Sequence, residues 1–304
     1  MTTTTEAVDQ AQYYILVFCA LMFFAIVFFM VLFVVRYRKS RNPRATELHG
    51  NAWFEVAAFV LPTLLALTMF YYGLVGYQFL RRVPQGALQV AVHSRQFSWS
   101  FVYPDGKSVP ELVVPSGSDV RLDVTSDDVL HGFYIPALRI QIDAVPGMPT
   151  HAWFRAKEVG SYDILCTVYC GTAHSAMLSK LYVLPPAEYE KWKAGDEIEL
   201  DGEALPLVMA DGNNLLSMLG CLNCHSTDGS AGIGPSFKGL YGSQVSVIEN
   251  GAKRSFVVDD AYLAKAIREP HANLVVGFDD LMPSLASTVR AEDVDDLVKT
   301  IKTF

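Results

Sequence analysis

Two long stretches without a single charged side chain limit this chain more than any other feature. Tyr13 to Val35 is dense in Phe, Val, Leu and Met, and Val56 to Leu80 repeats the pattern. A bilayer core of about 30 Å is crossed by about 20 helical residues, so each stretch is long enough to span it. Two buried core helices, or a cleaved leader for the first stretch, are the plainer alternatives. A leader has a basic front and a shorter apolar run. Here the front carries Glu6 and Asp9, and the run is too long. The reading is a transmembrane helical hairpin.

Arg36, Arg38, Lys39, Arg41 and Arg44 lie between the spans, and only Arg81 and Arg82 lie just beyond the second. Basic loops stay in the cytoplasm, which places both termini outside. Charge also divides the chain. Residues 1–82 carry 7 Lys/Arg and 4 Asp/Glu, a balance of +3; the totals of 24 and 32 leave 17 and 28 beyond residue 82, a balance of −11. An acidic soluble part on an apolar anchor argues against nucleic acid as a partner. At 304 residues, the chain has room for more than one domain.

Beyond the anchor, short alternating segments read as strands: Leu88–His93, Phe97–Tyr103, Asp119–Thr125 and Thr150–Phe154, separated by Pro, Gly and Asp. About 100 residues of such spacing predict an all-β sandwich or barrel. A linker is expected over 186–205, where the acidic stretch Gly195–Glu203 lies. Residues 206–304 read as helical, with segments at Asn213–Met218, Ala261–Arg268 and Glu292–Lys302.

Of the five cysteines, Cys19 falls inside the first span, where apolar packing is its expected role. The other four form two close pairs. The first stands in Cys166-Thr-Val-Tyr-Cys170-Gly-Thr-Ala-His174-Ser-Ala-Met177. Two thiols, an imidazole and a thioether are a soft ligand set that suits copper. A one-copper site needs a single Cys, whereas two thiolates can bridge two metals. A second imidazole is available in Asp128-Val-Leu-His131. A zinc site of two Cys and two His is the alternative, but it leaves Met177 without a part. The second pair is Cys221-Leu-Asn-Cys224-His225, the attachment pattern of c-type haem.

The hairpin, Asp128 to Ile140, Asp143-Ala-Val-Pro-Gly147 and Cys166 to Met177 together resemble subunit II of the haem–copper cytochrome c oxidases over roughly residues 12–185. The resemblance implies a cupredoxin-like domain with a dinuclear copper A centre (two Cu). Its ligands would be His131, Cys166, Cys170, His174, Met177 and the main-chain carbonyl of Val168. Where the family has a Glu that also helps to hold a boundary magnesium, this chain has Val168; Asp143 alone matches, and no magnesium is expected. The aromatic run that carries electrons in the family corresponds to Phe97 and Trp99, with Phe97 where the family has a tryptophan. Residues 206–304 resemble class I cytochrome c, with His225 and Met282 as the axial pair, Pro235 orienting the His side, and Cys221 and Cys224 binding one haem covalently. His271 is a weaker axial candidate, and Met218 is expected in the core. His49, His93 and His151 have no second ligand at metal spacing.

The whole then resembles a caa-type subunit II, a multidomain membrane protein: transmembrane hairpin anchor (1–86), all-β cupredoxin-like copper A domain (87–185), linker (186–205), all-α cytochrome c domain (206–304). Such a subunit passes electrons from a cytochrome c or a quinol-oxidising complex through haem c and copper A to subunit I, where dioxygen is reduced to water and protons are pumped. Subunit I and subunit III are the implied membrane partners. The implied setting is a bacterial cytoplasmic membrane with both redox domains on the periplasmic side. Glu55, seven residues before Pro62, matches a family carboxylate at the mouth of a proton channel. The competing readings are the copper A subunit of a nitric oxide reductase and a stand-alone membrane-anchored electron carrier.

Overall fold

The computed structural model describes residues 4–44, 50–200, 202–205, 212–283, 289 and 291–304; His49 falls outside them. The chain divides into two compact units, Met1–Arg82 and Val83–Phe304. In the first, α1 (Thr4–Arg36) and α2 (Ala52–Arg81) are both long and apolar enough to cross a membrane. Asn51 caps α2, its side chain accepting from the Trp53 and Phe54 amides. Pro62 lies inside α2, past the first turn where its missing N–H would cost nothing. Tyr14 joins the helices through a 2.7 Å bond to Thr68 and a ring contact with Tyr72. Most of their other Phe, Leu and Val side chains are exposed, as a lipid-facing surface requires.

The second unit begins with a β-sandwich. Its strands are β1 (Leu88–Arg95), β2 (Ser98–Val102), β3 (Ser108–Val109), β4 (Leu112–Pro115), β5 (Asp119–Ser126), β6 (His131–Ile135), β7 (Ile140–Ala144), β8 (Thr150–Arg155), β9 (Gly160–Cys166) and β10 (Leu178–Leu184). They form two sheets in the orders β3-β2-β1-β5-β8 and β4-β10-β9-β6-β7. Only β1 with β5 and β4 with β10 pair in parallel among the described ladders of these sheets. In β5, Val120, Leu122, Val124 and Ser126 turn inward while Asp119, Arg121, Asp123 and Thr125 turn out. This period of two fixes the register, since a one-residue slip would put the aspartates in the core. Phe101, Leu122, Phe133, Phe154, Ile164 and Leu181 fill the space between the sheets. This is the cupredoxin-like arrangement expected.

The stretch expected to be a linker is folded instead. Pro186 opens α3 (Pro186–Ala194) and Gly195 closes it in the left-handed conformation, φ 99°. Tyr189 and Trp192, three positions apart, share one helical face and bury against Tyr103, with the Tyr103 and Trp192 rings 5.3 Å apart. A short hairpin, β11 (Glu199–Leu200) with β12 (Glu203–Ala204), follows.

The C-terminal region holds α4 (Gly212–Met218), then β13 (Gln244–Glu249) and β14 (Ala252–Val257), α5 (Asp260–Arg268), β15 (Leu274–Val275) and α6 (Ala291–Ile301). The three helices fall where the sequence predicts them. The antiparallel sheet β14-β13-β15 is an addition to the all-α expectation. Its signal was present: Asn250-Gly251, both at positive φ, joins two β-branched segments as a tight hairpin turn. Leu216, Phe237, Leu263, Ile267, Val294 and Leu297 form a second apolar core.

Candidate metal centre and thiol-lined cavity

Strands β6 and β9 are neighbours, with Phe133 opposite Cys166. That pairing brings the first residue of β6, His131, beside the last residue of β9. The loop from Cys166 to Met177 then folds over the same end of the sandwich. Gly132 permits this: a Cβ there would collide with the Thr167 hydroxyl and come within 3.1 Å of the Val168 amide nitrogen. The Thr167 amide donates to the Gly132 carbonyl at 3.0 Å and fixes the approach.

All six residues singled out around the first cysteine pair converge. The Cys166 and Cys170 sulfurs are 3.9 Å apart. His131 Nδ1 is 4.0 Å from Cys166 Sγ, and the Val168 carbonyl lies 3.3 Å from that sulfur. On the other side, His174 Nδ1 is 3.5 Å and Met177 Sδ 3.8 Å from Cys170 Sγ. His131, Cys166 and Cys170 offer ligand atoms within 4.8 Å of one another. His131 and Met177 are fully buried. Two sulfurs at the centre, with one imidazole and one weak donor flanking each, can hold two soft metal ions. Val168 adds only its main-chain oxygen.

Asp128 is not among the ligand candidates of the sequence, yet it positions the site. Its Oδ1 sits 2.8 Å from His131 Nε2 and 2.6 Å from the Val129 amide, and its Oδ2 accepts from the Gln96 amide at 2.7 Å. Burial opposes its charge, but these bonds outweigh it and hold the carboxyl below its ordinary value. With Nε2–H donated to Asp128, His131 turns the lone pair of Nδ1 towards the sulfurs. Its signal was a carboxylate three residues before a ligand imidazole. Asp128→Ala is expected to weaken metal binding about 10- to 100-fold, the usual loss for such a supporting group, measured by competition with a chelator.

The two thiols differ. Burial works against a Cys166 thiolate, but His131, the main chain of Gly132 and Val168, and the Cys170 thiol outweigh it and bring its pKa to about 6. Burial, and then the Cys166 charge, push Cys170 up to about 12. Cys166 therefore gives up its proton more readily than Cys170, and bound cations would draw off both protons.

The second cysteine pair borders a cavity in the C-terminal region. Cys221, Cys224, His225 and Met282 stand in its walls among Leu219, Phe237, Leu263 and Ile267. Both cysteines are free, and burial pushes the Cys221 thiol up to about 12. His225 Nδ1 donates to the Pro235 carbonyl at 2.7 Å, and its ring stacks on Phe237 with centroids 4.7 Å apart. Its Nε2 has no partner among the described residues. Gly234 has no room for a Cβ, which would come 2.6 Å from His225 Cε1. His271 is instead exposed, bonded to Asp280 at 2.7 Å. Phe97 and Trp99 are both buried: Trp99 packs edge-on against His131 at 6.2 Å, and Phe97 lies beside the cavity. Glu55 sits in the first turn of α2, in the other unit. His93 bonds Asp127 at 3.2 Å, and His151 lies on β8.

A two-sheet cupredoxin-like domain, carrying a Cys₂His₂Met cluster at one end, on a chain with an apolar helical hairpin, defines the class of membrane-anchored proteins with a soft-metal site. Residues 107–181 match the family model described as cytochrome C oxidase subunit II, periplasmic domain, and that span includes the whole cluster. The chain is 27% identical over 287 residues to cytochrome c oxidase subunit 2 of Alkalihalophilus pseudofirmus, covering 90% of this chain and 80% of that one. With cytochrome c oxidase subunit 2 of Thermostichus vulcanus it shares 38% identity over 120 residues, 39% of this chain and 36% of that one. Among solved structures, the periplasmic domain of subunit II of cytochrome oxidase from Bradyrhizobium japonicum aligns at 30% identity and a TM-score of 0.35, over 36% of this chain and 94% of that one. Residues 107–181 of this chain thus match the periplasmic domain of cytochrome c oxidase subunit II.

Proposed function

We propose that this chain is the electron-input subunit of a haem–copper terminal oxidase with a cytochrome c domain fused to its C-terminus. The observation that carries the reading is that one compact unit holds both the converged Cys166–Met177 loop and the Cys221–His225 cavity. In this reading residues 1–86 are the anchor, 87–185 the copper A domain, 186–205 the connection and 206–304 the cytochrome c domain. The basic loop between α1 and α2 faces the cytoplasm, so both soluble parts lie outside it.

The residues fit the groups they would hold. Cys166 and Cys170 are spaced to bridge two coppers, with His131, His174, Met177 and the Val168 carbonyl completing the set. Cys221 and Cys224 are free thiols at the edge of an apolar cavity, as thioether attachment of a haem needs. Pro235 holds His225 by Nδ1 and leaves Nε2 for an iron, while Met282 lines the same cavity. The copper pair and the haem, when bound, each supply a one-electron carrier. The protein contributes their spacing, the exclusion of water by Phe97 and Phe237, and a burial that favours small net charge changes.

The chain would accept electrons from a cytochrome c or a quinol-oxidising complex and deliver them to subunit I for dioxygen reduction, with subunit III alongside. Glu55, at the capped start of α2, would admit protons from the cytoplasmic side. The test is purification of the full complex in mild detergent, followed by turnover with each gas. Co-purifying haem-bearing membrane subunits and dioxygen consumption are expected. Turnover of nitric oxide alone would make the chain a reductase subunit. Isolation without any membrane partner would make it a stand-alone carrier.

A further inference from the structure

We infer that Asn223 and Gln96 are positioning residues that couple the thiol-lined cavity to the metal loop through the main chain of Phe97; this rests on the function proposed above. The Asn223 side-chain amide donates to the Phe97 carbonyl at 2.5 Å. The Gln96 side-chain amide donates to the Cys170 carbonyl, also at 2.5 Å. A continuous path therefore runs from Cys224 through its peptide bond to Asn223 and across one hydrogen bond to the Phe97 carbonyl. It continues along the main chain to Gln96, across a second hydrogen bond to the Cys170 carbonyl, and by covalent bonds to the Cys170 sulfur. Electron tunnelling decays less steeply along covalent and hydrogen bonds than across van der Waals gaps, so two hydrogen bonds and no gap make a favoured route. The transfer moves one electron, oxidising the carrier on the Cys221–His225 side and reducing the one on the Cys166–Met177 side. No atom changes partners.

The surroundings hold this path closed. Both loops meet residues 96–98 at glycines. A Cβ on Gly171 would fall 2.8 Å from Gln96 Nε2 and 2.9 Å from Phe97 Cζ; one on Gly220 would fall 3.3 Å from the Phe97 nitrogen. Ser98 Oγ donates to the Met218 carbonyl at 2.8 Å and fastens the same contact without lying on the route. Asp128 holds the Gln96 amide with one oxygen and His131 with the other, tying the bridge to a ligand of the metal loop. Phe97 is only 5% exposed, so an external donor cannot reach it.

The test uses the full chain with copper and haem loaded. The haem is reduced by a light pulse, and the arrival of the electron at copper is followed by absorbance. Asn223→Leu and Gln96→Leu should each slow the transfer about tenfold or more, as small misplacements in a positioned path do. Ser98→Ala should leave it within about twofold, because it removes a docking bond of ordinary strength and not a bridge. Amide exchange over 96–98 supplies an independent readout: Asn223→Leu and Ser98→Ala should raise it similarly, so that docking and coupling are read apart. Any other pattern of rates among the three variants overturns the bridge while leaving the proposed function standing. Failure of the wild-type chain to take up covalent haem would overturn that function, and the bridge with it.

Discussion

Cys166→Ser is expected to abolish the shared-electron copper centre, and Cys170→Ser to do the same. The two sulfurs lie 3.9 Å apart with a separate imidazole and a separate weak donor beside each, so removing one leaves no pair of bridges. A hydroxyl is a hard, poorly ionised donor and cannot replace a soft thiolate towards copper. An electron shared equally by two copper nuclei gives a seven-line hyperfine pattern in electron paramagnetic resonance, and one confined to a single nucleus gives four lines. The oxidised wild-type chain should show the first. Each variant should show the second or no copper at all, with the C-terminal cavity unaffected. A four-line spectrum from the intact chain would refute the dinuclear assignment.

The second large effect concerns the other cysteine pair. Replacing Cys221 and Cys224 together by Ala is expected to remove all haem that survives denaturing electrophoresis. Leu219, Phe237, Leu263 and Ile267 would then line a cavity with nothing anchored in it, and unfilled apolar volume is destabilising. The melting transition of the C-terminal core should fall by about 10 °C or more, since about 1 kcal/mol shifts a small domain by several degrees. The copper spectrum should persist, because the sandwich has its own core. Haem retained covalently in the double variant would refute the assignment of these thiols.

What the sequence made legible was local. The alternation in Asp119–Ser126 announced a strand with one buried face, and the structure keeps it. The spacing of Cys166, Cys170, His174 and Met177 fixed four donors to one loop, while His131 had to be brought in by the β6–β9 pairing, which spacing alone does not encode. The folded character of 186–194 was available in Pro186, Gly195 and the Tyr189–Trp192 pair, but the acidic residues that follow masked it. The Asn250-Gly251 turn is likewise written in the sequence, between β-branched segments of a region whose other long elements are helices. The contact of Asn223 with Phe97 could not be read at all. It joins positions 126 residues apart, and nothing in either local sequence marks the partner. Asp128 lies between these cases: its neighbour His131 was recognised, but its bond to the Gln96 amide depends on the loop geometry.

Electron flow through the C-terminal domain is tested most directly by stopped-flow reduction of the copper- and haem-loaded full chain by an external cytochrome. Wild type is compared with Met282→Ala. Met282 stands in the same cavity as His225, and under the proposed function its removal would take away a soft axial donor and should lower the haem potential. Among the described residues Met282 packs against the C-terminal core and not that of the sandwich, so the properties of the copper loop should not change. In wild type the haem absorbance should change first and copper should follow. In the variant, copper reduction should slow. Copper reduced as fast in Met282→Ala as in wild type would contradict entry of electrons through the haem and, with it, the account of this chain as a fused relay.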